Sequence, residues 1–207
     1  MSVNAGLASL PPLPPRSRTI AFTSGKGGVG KSNLALNTGL LLAQRGRRVV
    51  ILDGDLGLAN ITVLLGLSPK SDLKDVIAGD KALHEIMIEG PHGLRVIPAG
   101  AGVAEMANLA PDEQEALLTQ LRHLEASVDF LLIDTGAGLG DTVLNLILAS
   151  DEAVLVTMPE PTALADAYGL MKTIVQRTPV YPFHILVNMV RDEAQARQVH
   201  DSFSQIS

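Results

Sequence analysis

Residues 19–34 read TIAFTSGKGGVGKSNL, a β-branched apolar run that ends at Ser24, passes through glycines and opens into a helix-forming stretch. Gly25 to Ser32 fit the phosphate-loop pattern GxxxxGK[ST]. Glycines let the backbone curl, so that the N–H groups of Gly25, Lys26, Gly27, Gly28, Val29 and Gly30 can face one anion-sized hollow. The helix that begins near Lys31 adds about half a positive charge at its N-terminus. Lys31 can reach the β- and γ-phosphates of a nucleoside triphosphate, and the Ser32 hydroxyl can bind Mg²⁺. A glycine-rich turn that happens to hold a lysine is the plainer alternative. A strand before it and a helix after it favour the phosphate loop.

Around this loop the chain alternates strand and helix. Short apolar runs at 19–24, 48–53, 94–98, 129–134, 153–158 and 183–188 read as strands buried on both faces of a parallel sheet. Helices are expected at 31–45, 72–79, 111–126, 140–150, 161–177 and 192–205. Pro111-Asp112-Glu113 is a helix start and Gly46 a helix stop. The fold expected is α/β: a phosphate-loop nucleoside triphosphatase with a doubly wound, mostly parallel sheet and helices on both faces. Residues 1–18, with PPLPP at 11–15, read as a flexible, proline-rich tail, and 19–207 as the ATPase domain. The chain closes in a helical pattern with no stop signal after Ile206, so the domain is expected to be truncated at its C-terminal side.

Composition narrows the classes. Of 207 residues, 46% are apolar and 18% charged, enough for one α/β domain with a sizeable core. No apolar stretch approaches the roughly 18 residues of a membrane span, and the N-terminus lacks a secretory signal, so a cytoplasmic protein is expected. There is no cysteine, which removes readings that need thiolates around an iron–sulfur cluster. A net charge of −6 argues against a large nucleic-acid surface. Arg45, Arg47 and Arg48 form a local cluster, read as solvated groups at a helix end.

Carboxylates supply the remaining chemistry. In VVILDGDLGLAN, residues 49–60, Asp53 and Asp55 stand at the carboxyl end of a strand, where ligands bind in doubly wound sheets. Two carboxylates there suit Mg²⁺ handling and the positioning of a water; an Asp-Gly turn is the alternative. In FLLIDTGAG, residues 130–138, four apolar residues deliver Asp134 to the water shell of Mg²⁺. Gly136 and Gly138 give a flexible backbone of the kind a nucleotide-sensing switch requires. Asn188 ends the 183–188 strand. His84, His92, His123, His184 and His200 show no metal-ligand spacing and read as surface or packing residues. Met87, Met106, Met158, Met171 and Met189 read as fillers of core gaps.

The second lysine narrows the choice. KGGVGKS, residues 26–32, resembles the deviant phosphate loop of the MinD/ParA family of ATPases. The segments DGDLGLANITVLLGL (53–67), DTGAGLGD (134–141) and PEPTALADAYGLMK (159–172) resemble the FlhG-like flagellar-number branch of that family. This resemblance implies ATP and Mg²⁺ as ligands, and an ATP-dependent homodimer in which Lys26, pointing outward from the loop, reaches the partner subunit's nucleotide. It also implies that Asp55 orients the attacking water, that Asp53 lies near the metal and that Asn188 reads the adenine edge. Lys26, Lys31 and Asp55 are thus the candidate catalytic residues, and Ser32, Asp53 and Asp134 the candidate metal residues. The output implied is control of flagellar number and placement through a partner GTPase of the signal-recognition-particle type and a transcriptional regulator. Membrane attachment at the inner face of the plasma membrane is implied only through a C-terminal helix beyond these residues. The alternatives are a positioning or DNA-segregation ATPase of MinD/ParA type, and a nucleotide-gated anti-activator whose hydrolysis is incidental.

Overall fold

The computed structural model describes residues 17–55, 60–98, 119–121 and 123–204. Seven strands form one sheet: β1 (Arg18–Ser24), β2 (Val49–Gly54), β3 (Ile88–Glu89), β4 (Arg95–Pro98), β5 (Phe130–Ala137), β6 (Glu152–Thr157) and β7 (Phe183–Val187). They lie in the order β3-β4-β2-β5-β1-β6-β7, and every pairing is parallel except that of β3 with β4. The mostly parallel sheet expected from the apolar runs is the one observed. Two-residue β3 was not foreseen, because a pair of residues carries no periodicity to read.

β2 shows why its sequence is a continuous apolar run. All six of its residues are buried, but they serve two cores. Val49 and Ile51 pack on one face with Ala35, Leu36 and Ala43 of the helix Lys31–Gln44. Val50 and Leu52 pack on the other with Leu73, Val76, Leu83, Ile86, Leu124 and Leu146. Alternate residues of a strand point to opposite faces, so a sheet covered on both sides demands hydrophobes throughout. A third cluster covers the far end, where Ala21, Ala153 and Leu155 meet Ile147, Leu170, Ile174 and Phe203.

Connections follow the sequence signals closely. The helix Lys31–Gln44 stops at Gly46, where the Gly46 and Arg47 N–H groups return to the Ala43 and Leu42 carbonyls. Helices Asp141–Leu148, Pro161–Arg177 and Glu193–Ser204 lie within a residue or two of expectation. The expected helix at 72–79 is the shorter Leu73–Ile77, held by a reciprocal cap between Asp72 and Asp75. Helices Asn60–Leu64 and Leu83–Ile86 were not foreseen; each is barely one turn. Residues 119–121 and 123–127 are helical, whereas the Pro111 start of that expected helix lies outside the described residues, as do the 1–16 part of the tail and Met106. Arg45, Arg47 and Arg48 are exposed, and Arg48 also pairs with Asp129 at 2.8 Å. Among the described residues no helix is long and apolar enough to cross a membrane.

Candidate nucleotide site

β1, β2 and β5 run parallel, so their carboxyl ends open on one edge, and the phosphate loop leaves β1 there. Asp53 of β2 and Asp134 of β5 are register partners, side by side at that edge. Both are buried, at 2% and 0% exposure. Beneath the loop, Lys31 is buried and donates from Nζ to Asp134 Oδ1 at 2.6 Å and to the Ser32 hydroxyl at 3.4 Å. The structure therefore brings Lys31, Ser32, Asp53 and Asp134 together. Asp55 follows directly on β2 and is half-buried; residues 56–59 of its segment lie outside the described residues.

The loop itself is built for an anion. The helix Lys31–Gln44 has no acidic residue in its first turn and no side chain capping its N-terminus. Its first N–H groups thus retain their capacity to bind a ligand. Gly27 and Gly28 are exposed at the mouth, and Val29 is buried behind it. Gly25 packs against helix Pro161–Arg177 so closely that a Cβ would stand 2.3 Å from the Asp166 carbonyl carbon. Only glycine fits there. Gly138 N–H bonds the Ser24 carbonyl at 2.9 Å, which ties the 134–141 segment to the entrance of the loop.

Electrostatics mark the acidic pair. Burial first, and then the neighbouring Asp134 charge, raise the Asp53 carboxyl to about 6, against two helix N–H groups, Ile61 and Thr62, that stabilise its anion. Burial likewise raises the Asp134 carboxyl, opposed by Lys31 and Ser32. Asp53 Oδ2 accepts from Ile61 N–H at 3.1 Å, so it also caps the short helix Asn60–Leu64. Each carboxylate retains one buried oxygen without a partner among the described residues, Asp53 Oδ1 and Asp134 Oδ2. Orphaned buried oxygens call for a cation, a proton or ordered water. Two carboxylate oxygens and a serine hydroxyl are hard ligands of the type Mg²⁺ takes.

Two residues are held otherwise than the sequence led us to expect. Lys26 does not point freely outward: its Nζ donates to Glu160 Oε2 at 2.8 Å and Thr162 Oγ1 at 3.1 Å. Both partners lie at the start of helix Pro161–Arg177, within PEPTALADAYGLMK, yet nothing in that string assigned them to Lys26. Asn188 is half-buried, and its Nδ2 donates to the Val29 carbonyl at 2.9 Å beside Gly30, whose φ is +90°. That contact makes Asn188 a brace for the loop. Met189 does not fill the core either, being 57% exposed with φ +57°, next to Gly30. Met87, Met158 and Met171 do pack against the three cores.

Comparison with known proteins completes the picture. A family model described as ParA, NUBPL iron-transfer P-loop NTPase, matches residues 16–205. The chain belongs to the ParA/MinD family of P-loop NTPases. It is 40% identical over 190 residues to the antiactivator FleN of Pseudomonas aeruginosa and 32% identical over 191 residues to the flagellum site-determining protein YlxH of Helicobacter pylori. Those matches take in 92% of this chain but 68% and 64% of the relatives, so the chain spans about two thirds of their length. The septum site-determining protein MinD of Bacillus subtilis is 33% identical over 178 residues, covering 84% of this chain and 65% of its own. Among solved structures, MinD of Pyrococcus furiosus superposes with a TM-score of 0.72 at 28% identity over 91% of this chain and 80% of that one. MinD complexed with Mg-ADP from Pyrococcus horikoshii gives a TM-score of 0.70 at 28% identity over 88% of this chain and 77% of that one. The fold and family expected from the phosphate loop are thus established. The iron-transfer wording belongs to the family model; the 207 residues hold no cysteine thiolate.

Proposed function

We propose that this chain is the ATPase domain of a dimerising molecular switch that hydrolyses ATP and regulates flagellar number and placement. The observation that carries the reading is the buried Lys31–Asp134 pair under a phosphate loop whose helix N-terminus is uncapped. In this reading the amides of residues 25–30 cradle the phosphates, and Lys31 leaves Asp134 to counter their charge. Ser32, Asp53 and Asp134 hold Mg²⁺, which when bound neutralises charge on the phosphates. Asp55 orients a water towards the γ-phosphate, and Asn188 offers Oδ1 to the adenine amino group while bracing the loop. Lys26 exchanges Glu160 for the nucleotide of a second copy of the chain, a charge supplied in trans.

Kinship supports the output. The relatives named as antiactivator and as flagellum site-determining protein support a flagellar role; the partners we propose for it are a transcriptional regulator and a GTPase of the signal-recognition-particle type. The site of action proposed is the cytoplasm, with attachment to the inner face of the plasma membrane depending on sequence beyond these residues. With a net charge of −6, strong DNA binding is not expected.

The test is Asp55→Ala. It should bind ATP, release phosphate slowly and accumulate as the ATP-bound dimer, because losing an orienting group slows only the attack by water. Size-exclusion chromatography with ATP, beside a phosphate-release assay, reads both. A variant that binds ATP yet remains monomeric would overturn the assignment of Asp55.

A further inference from the structure

We propose a second ligand site, for a small amphipathic acid, on the face of the sheet opposite the phosphate-loop helix. Between helix Leu83–Ile86, the start of β4 and the helical residues 119–127 lies a cavity of about 230 Å³. Its apolar part is made by Leu83 and Leu124, both buried core residues, and by half-buried Met87. Its polar part is rich in donors, and among the described residues no carboxylate lines it.

The donor count follows from the bonds already formed. Gln120 spends Oε1 on the Leu83 N–H at 2.6 Å, so its NH₂ group is what it offers a ligand. Arg95 is half-buried and, among the described residues, has no carboxylate within ion-pair distance. Even Glu89, its register partner on β3, forms no ion pair with it. His84 and His123 stand exposed on the two flanking helices, each with at least one ring N–H. The Ser127 hydroxyl, which donates to the Leu124 carbonyl at 2.8 Å, presents an acceptor, as does the second ring nitrogen of each imidazole while it is neutral.

A guanidinium, an amide NH₂ and two imidazoles above an apolar floor fit a negatively charged head on a short hydrocarbon body. A half-buried guanidinium without a partner is costly, and an anion would relieve that cost. In a chain of net charge −6 such a donor-rich cavity is not a product of generally basic surface. Its volume is below the usual 300–1,000 Å³ of drug-sized sites, so the occupant is a small acid rather than a nucleotide. Nor is it part of the phosphate site. Arg95 pairs with Val50, three residues before Asp53, about 10 Å down the strand from the acidic pair.

Phosphoryl and carboxylate heads share this chemistry, so the test uses inorganic phosphate and butyrate as separate probes. Histidine ring carbon–proton resonances are followed during each titration. His84 and His123 should shift together and saturate, while exposed His92 and His200 stay still. The probe that saturates at lower concentration identifies the head. Arg95→Gln should weaken binding about tenfold or more through loss of a charge-assisted contact, and His123→Gln should weaken it less. Shifts that grow linearly without saturating, or that are unchanged in Arg95→Gln, would overturn the site. Because the reporters lie away from the phosphate loop, phosphate bound at the loop cannot imitate the expected result.

Discussion

Lys31→Met should destabilise the nucleotide-free protein, well before any question of ATP arises. Methionine keeps most of the lysine stem and removes the ammonium. Asp134 is then left fully buried, with only the Ser32 hydroxyl in place of a counter-charge. Breaking a buried pair by deleting one partner costs about 3–5 kcal/mol while the survivor is ionised. The carboxyl can escape part of this by taking a proton, and burial already raises its pKa. Losing Lys31 raises it further. The folded state then binds protons more readily than the unfolded one, so stability falls as pH rises through the intervening range. The loss should be small near pH 5 and approach about 3 kcal/mol near pH 8.

Urea denaturation followed by far-ultraviolet circular dichroism, in chelator and without nucleotide, measures this directly. A 3 kcal/mol loss moves the midpoint by about 1 M or more for slopes of about 1–3 kcal/mol/M. Adding Asp134→Asn to Lys31→Met should restore most of the loss, because no buried charge then remains. A double variant no more stable than Lys31→Met, or an equal loss at both pH values, would refute the buried-pair argument.

Three further perturbations bear on neighbouring groups. Asp53→Asn should be near neutral around pH 4 but more stable than the parent at pH 8 in metal-free buffer. A carboxyl raised from 3.8 to about 6 costs up to about 3 kcal/mol once both states are ionised; denaturation at the two pH values checks it. Glu160→Gln should lower the ATP concentration needed for self-association by no more than about fivefold at low salt, because an exposed pair is worth about 1 kcal/mol at most. Light scattering at two salt concentrations reads this, and unchanged association would show that the Lys26 tether does not compete with assembly. Gly25→Ala should cost about 1–3 kcal/mol and weaken ATP binding, since the Asp166 backbone cannot give way, whereas Gly27→Ala, with nothing within 4 Å, should melt like the parent.

Much of this site was legible because in a doubly wound sheet the chemistry sits where strands end. The runs before Asp53 and Asp134 had to be strands, and parallel strands place their carboxyl ends on one edge. That put both aspartates at one edge; their standing side by side follows from the pairing of β2 with β5, which the string does not carry. What the string could not carry was the direction of each long side chain. Lys26 has several rotatable bonds, and its choice of Glu160 and Thr162 depends on how helix Pro161–Arg177 packs on Gly25. Asn188 likewise finds Val29 only because β7 ends beside the loop. Helices Asn60–Leu64 and Leu83–Ile86 escaped notice because one turn is too short to display a period.

Lys31 and Asp134 also balance charge where the phosphate loop meets the strand ends. The loop gathers donors and the strand ends gather acidic groups, so without a ligand each would be a buried, unsatisfied liability. Pairing Lys31 with Asp134 settles one carboxylate oxygen, but it cannot reach Asp53, whose second oxygen stays orphaned and whose carboxyl rises instead. The Lys31 charge thus offsets only one of the two buried carboxyls. On the proposed reading, Lys31 turns from Asp134 to a triphosphate, and Asp53 and Asp134 would then hold Mg²⁺, which would supply the counter-charge. One buried contact is exchanged for others, and the net cost of moving Lys31 is small. Asp134 begins the segment that bonds Ser24 through Gly138, so a change in the partner of Asp134 is felt along residues 134–141 at once. The same pair that balances the buried carboxylate would then report nucleotide binding to the switch.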